Sequence, residues 1–147
     1  MSWITITSTD VQTRLTGVEL SALQKVALAP GQPDPLDDVI SKVVDEVRGY
    51  IAANPKNTLG GADTVPQKLL SASLAIIRYR LATRLPVKSI LTEDRVKENA
   101  DAIRLLERVA DGKFAVEDPV TGDTAGISIQ LAYKPTRIAT REKLSGL

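Results

Sequence analysis

A chain of 147 residues with 43% hydrophobic content and a net charge of +1 has room for one domain with a real core, is too short for two, and is not disordered as a whole. Cysteine and histidine are both absent, which excludes disulfides, thiol chemistry, the usual Cys/His zinc sites and histidine acid–base catalysis. The near-neutral charge gives no basic field for nucleic acid, and five aromatic residues leave the core to Leu, Ile, Val and Ala.

In chain order, WITIT at residues 3–7 alternates and is rich in β-branched types, which predicts a short strand or extended arm. The first ten residues lack a charged stretch leading into an apolar run, so no signal peptide is expected. Ser8 or Thr9 is placed to cap a short helix through Leu15. Thr16 and Glu19 have capping-box spacing for a second helix, through about Leu28. Three prolines and a glycine make 29–35 a loop. Asp34 then caps a helix with Pro35 at its first position and Asp37 and Asp38 near the positive end of its dipole. Leu36, Val39, Ile40, Val43, Val44, Val47, Tyr50 and Ile51 form its apolar stripe. Asp37, Lys42, Asp45, Glu46 and Arg48 take the other face, and the helix ends near Ala53.

The stretch 65–85, VPQKLLSASLAIIRYRLATRL, is apolar on almost every side of a helical wheel, the mark of a helix packed by neighbours all round. Thr64 and Gln67 have the spacing to cap it, and Pro66 is tolerated in the first turn. It would be roughly 30 Å long. Lys68, Arg78, Arg80 and Arg84 make it too polar to span a membrane. Thr92 is expected to cap a last helix through Ala110, with Asp111-Gly112 as its closing turn. Val96, Ala100, Ile103, Leu106 and Val109 or Ala110 face inward. The fold expected is all-α: a small bundle around the central helix at about 65–85. Val43, Val47, Leu70, Leu74, Ile77, Leu81, Ile103 and Leu106 form its core.

From Glu117 the character changes, dividing a helical domain (1–118) from an extended, partly β tail (119–147). After a polar linker, Ile127, Ile129, Leu131 and Tyr133 project to one side of a predicted strand. The final KPTRIATREKLSGL carries four basic residues against one acid. A lone strand satisfies neither its backbone groups nor its apolar face. It can pair with WITIT, join another subunit or stay mobile; ordering by another subunit is the expectation.

Catalytic signatures are lacking. Gly60-Gly61 is no phosphate-cradling loop, and the acidic pairs Asp37-Asp38, Asp45-Glu46 and Glu93-Asp94 fit helix starts or solvated faces. No catalytic residue, metal site or cofactor is expected. Arg78, Arg80, Arg84 and Lys88 cluster near the end of the central helix, where its dipole favours cations. The helices at 9–15 and 17–28 outline a helix-turn-helix, but the second has one basic residue, Lys25. A small DNA-binding regulator is therefore the alternative reading.

Four segments in sequence carry a resemblance: Asp45-Glu46-Val47-Arg48-Gly49-Tyr50-Ile51, Val65-Pro66-Gln67-Lys68-Leu69, Ile77-Arg78-Tyr79-Arg80-Leu81, and Ala102 to Lys113 with its Gly112-Lys113 turn. In order and spacing the chain resembles the phage Mu-type head–tail connector, or neck adaptor, proteins of tailed bacteriophages over about residues 8–116. The loop 54–64 departs from the family's Arg-Tyr-x-x-Pro. The resemblance implies a homo-oligomeric, dodecameric ring in the virion neck, assembled in the host cytoplasm without a membrane. Its partners would be the portal protein, a downstream stopper or tail-terminator protein and, transiently, genomic DNA in the channel. With that reading, Ile127, Ile129, Leu131 and Tyr133 are expected to contact another subunit or the portal, and Arg137 and Arg141 to find acidic partners.

Overall fold

The computed structural model describes residues 2–25, 35–84 and 90–119. Asp34, Lys88 and the tail residues Ile127, Ile129, Leu131, Tyr133, Arg137 and Arg141 lie outside them. The described chain is mostly helical with one two-stranded sheet, the all-α class expected. Its elements are β1 (Trp3–Thr5), α1 (Ser8–Arg14), α2 (Gly17–Lys25), α3 (Pro35–Ala53), β2 (Thr64–Pro66), a 3₁₀ turn (Gln67–Leu69), α4 (Leu70–Arg84) and α5 (Glu93–Ala110).

Local chemistry sets these boundaries. The cap of α1 is Thr7 rather than Ser8 or Thr9. Its backbone N–H donates to Asp10 Oδ2 at 2.8 Å while the Asp10 N–H donates to Thr7 Oγ1 at 3.3 Å, a reciprocal capping box. The box expected at Thr16 and Glu19 forms and starts α2. α5 ends in a Schellman turn: Gly112 sits at φ +74°, Lys113 N–H bonds to Arg108 O at 2.8 Å, and Gly112 N–H bonds to Val109 O at 3.1 Å.

The start of the central helix differs from expectation. Residues 64–66 are extended and pair antiparallel with β1, Thr5 opposite Thr64 and Trp3 opposite Pro66; a 3₁₀ turn follows, and α4 begins only at Leu70. Thr64 therefore caps no helix; its hydroxyl donates to Gly61 O at 2.7 Å. Pairing with β1 satisfies backbone groups that a helix would have left free at its first turn. WITIT thus finds a partner within its own chain.

α4 packs against α1, α3 and α5. Val43, Val47, Leu74, Ile77, Leu81 and Leu106 are buried in the core, together with Val11, Val39, Ile51, Val65, Leu69, Ile76 and Val109. Leu70 and Ile103 are half-buried and pack against it. On α5 the inward stripe is Ala102, Leu106 and Val109, and Val96 is exposed. At that end of α5 Arg95 takes the inward position, so Val96 turns outward.

Candidate functional site

Polar side chains gather in three places on this frame: a charge cluster under α2, a groove between α4 and α5, and a clasp at the sheet end. The clasp is built on Arg48. Its guanidinium donates to the carbonyls of Gly61 and Thr64, both at 2.8 Å, and of Gly60 at 3.2 Å, and lies 5.8 Å from the Trp3 ring centre. Arg48 is thus not a solvated-face residue; it gathers the 60–64 loop onto α3. Gly60 is required there, since a Cβ would lie 2.6 Å from the Trp3 ring. On its other side the Trp3 indole N–H donates to Glu117 O at 2.9 Å, tying the end of the helical body to its first strand.

The charge cluster centres on Glu19, which is only 2% exposed. Its carboxylate closes the α2 capping box, accepting from the Thr16 N–H at 2.6 Å and the Thr16 hydroxyl at 2.9 Å. It also pairs with Arg78 of α4 at 3.5 Å and with Arg95 of α5. Arg78 reaches Glu98 at 3.8 Å, and Arg95 also donates to Ile90 O. Burial alone would raise the Glu19 pKa; the Thr16 hydrogen bonds and the two guanidinium charges outweigh it and hold the pKa below the ordinary carboxylate value.

The remaining arginines of α4 are engaged as well. Arg80 pairs with Glu46 on α3, and Arg84 reaches Asp38 at 3.4 Å. Asp38 is also bonded by Lys42 at 2.8 Å, and this hydrogen bond is the main reason its pKa is lowered. Helix-dipole attraction alone does not account for these cations. In the fold they cross-link α4 to α2, α3 and α5, which sequence spacing does not reveal because the partners lie far away along the chain.

The groove runs between α4 and α5 and encloses about 350 Å³. Ala72, Leu74, Ala75, Ala102 and Leu105 give it an apolar floor. Arg14, Lys68, Arg78, Glu98 and Asp101 also line it. A second hollow of about 380 Å³ lies between the β1–α1 junction and α3, lined by Ile6, Ile40 and Val44 with Asp37 and Asp63. Among the described residues no group of three or more acids is placed to hold a metal ion, and no helix is long and apolar enough to cross a membrane.

A family model described as Bacteriophage Mu, Gp36 matches residues 6–128. The chain belongs to the bacteriophage Mu Gp36 family. The match spans the whole described helical body from Ile6 and reaches into the tail segment. Gp36 membership makes this a phage structural or assembly protein. No curated protein and no solved structure matches the chain significantly.

Proposed function

We propose that this Gp36-family chain is a non-catalytic connector of the phage neck. Copies form a ring beneath the portal protein, dodecameric as the resemblance implies, which prolongs the DNA channel and offers a platform to a stopper or tail-terminator protein. Residues 1–118 are the ring-forming body. Residues 119–147 bring Ile127, Ile129, Leu131 and Tyr133 to a neighbouring subunit or the portal, and Arg137 and Arg141 to acidic partners there.

The observation that carries this reading is the family match over residues 6–128. Two physical features support it. The body is an aliphatic helical bundle in which the arginines of α4, Arg78, Arg80 and Arg84, are paired with acids of α2, α3 and α5 rather than left free to hold DNA that must pass through. The tail sequence has one apolar face and no obvious way to bury it alone. Repeated heterologous contacts around an axis close into rings.

The test is electron microscopy of the protein mixed with its phage's portal, with and without residues 119–147. The intact chain is expected to cap the portal. The truncated chain keeps Glu117 and its bond to Trp3, and is expected to stay helical while failing to dock. Normal docking by the truncated chain overturns the role given to the tail; no docking by the intact chain overturns the connector reading. The alternative, a small DNA-binding regulator, is weakened by the engagement of Arg78, Arg80 and Arg84, and predicts salt-dependent binding of duplex DNA.

A further inference from the structure

The α4–α5 groove has a floor suited to an extended apolar segment, and the chain itself contains one. Ala72, Ala75 and Ala102 are small enough to leave the depression open, with Leu74 and Leu105 beside them. Along α4 the groove extends from Ser71 to Arg78, about 10 Å at helical rise. In an extended segment, side chains two residues apart lie about 7 Å apart on one face. Two neighbours of the series Ile127, Ile129, Leu131 and Tyr133 therefore span it.

The chain continues for 28 residues beyond Pro119, the last one described, and the stretch from there to Ile127 is long enough, at up to about 27 Å when extended, to reach a neighbouring copy.

We infer that the α4–α5 groove is the receptor for the tail of a second copy of this chain, with Ile129 and Leu131 on its alanine floor. The inference rests on the reading of the chain as a ring subunit and adds to it the acceptor surface. Each subunit then gives a strand to one neighbour and receives one from the other, a heterologous contact that can repeat around an axis.

The chain has no cysteine, so engineered thiols report without background. Two populations are mixed under mild oxidation, one carrying Ala75→Cys and the other Leu131→Cys. Ser71→Cys at the groove edge is a second acceptor, guarding against a folding defect at Ala75. Gly49→Cys, on α3 where a Cβ meets nothing within 4 Å, is the control away from the groove. Docking raises the local thiol concentration, so either groove acceptor is expected to couple to the tail thiol about tenfold faster than the control, or more.

Coupling no faster than the control overturns the inference, as does a chain carrying both Ala75→Cys and Leu131→Cys that closes only on itself. Portal docking is scored in parallel by microscopy. Docking without groove coupling removes the groove and leaves the connector reading intact. Groove coupling without portal docking keeps the acceptor surface and removes the connector.

Discussion

The bundle around Ile77 and Leu106 and the corner where α2 meets α4 and α5 show two different ways of holding helices together. The bundle is closed by aliphatic packing, with Val43, Val47, Ile51, Ile77 and Leu106 removed from water. Under α2, among the described residues, the apolar contact is Ala22 against Ala82 and Ile90. There the junction is carried by Glu19 with Arg78 and Arg95. Apolar packing is non-directional and degrades by degrees when trimmed. A nearly dry ion cluster fixes one geometry and fails abruptly when one member is lost, because the others are left charged and unpaired.

Removing packing from the first region should have the largest effect. Leu106→Ala leaves a cavity at a fully buried site and should cost about 3 kcal/mol, read as a fall in the urea midpoint with the helical signal otherwise intact. A loss below about 1 kcal/mol would break the contrast, since it would mean the bundle collapses to fill the gap.

Glu19→Gln tests the second region. It keeps the side chain's shape but leaves Arg95 without a counter-charge and Arg78 with Glu98 alone. Both arginines retain some access to water, which tempers the penalty to about 2 kcal/mol. Hydrogen exchange should quicken in α2 well before it does in α3. The same residue sets a pH signature. Its folded pKa is depressed, so its contribution is complete above the unfolded value near about pH 4.3 and is lost as pH falls through the folded pKa. The Gln variant should show a shallower acid limb than the parent chain; matching limbs would remove Glu19 from the account.

Gly60→Ala probes a third kind of contact, close approach. The added methyl would overlap the Trp3 ring, and displacing that ring should cost about 1 to 2 kcal/mol in thermal unfolding. Lys42→Ala calibrates the low end. The Lys42 side chain is 64% exposed, so loss of its pair with Asp38 should leave the unfolding midpoint essentially unchanged.

Legibility in the sequence follows the same contrast. The stripe of α3 was readable because apolar periodicity encodes burial directly, and Val39, Ile40, Val43, Val44, Val47 and Ile51 are buried. The Thr16–Glu19 box was readable because its partners are three residues apart. The same spacing misled at Thr64 and Gln67, where pairing with β1 prevailed over a local cap. Glu19 as an ion-pair centre, and Arg48 as the clasp of the 60–64 loop, could not be read. Both depend on partners brought close only by the fold, and on a wheel diagram both look like surface charges. The groove was hidden for a related reason: an alanine reads as neutral in any pattern, and three of them form a hollow only once α4 and α5 are side by side.

The bond from the Trp3 indole to Glu117 joins positions 114 residues apart in sequence. Trp3 is the chain's single tryptophan, so its fluorescence arises at the point from which the C-terminal extension departs. Loss of that bond would expose the indole and alter its emission. Trp3 emission therefore gauges whether the two ends of the helical body stay joined, readable without any added label.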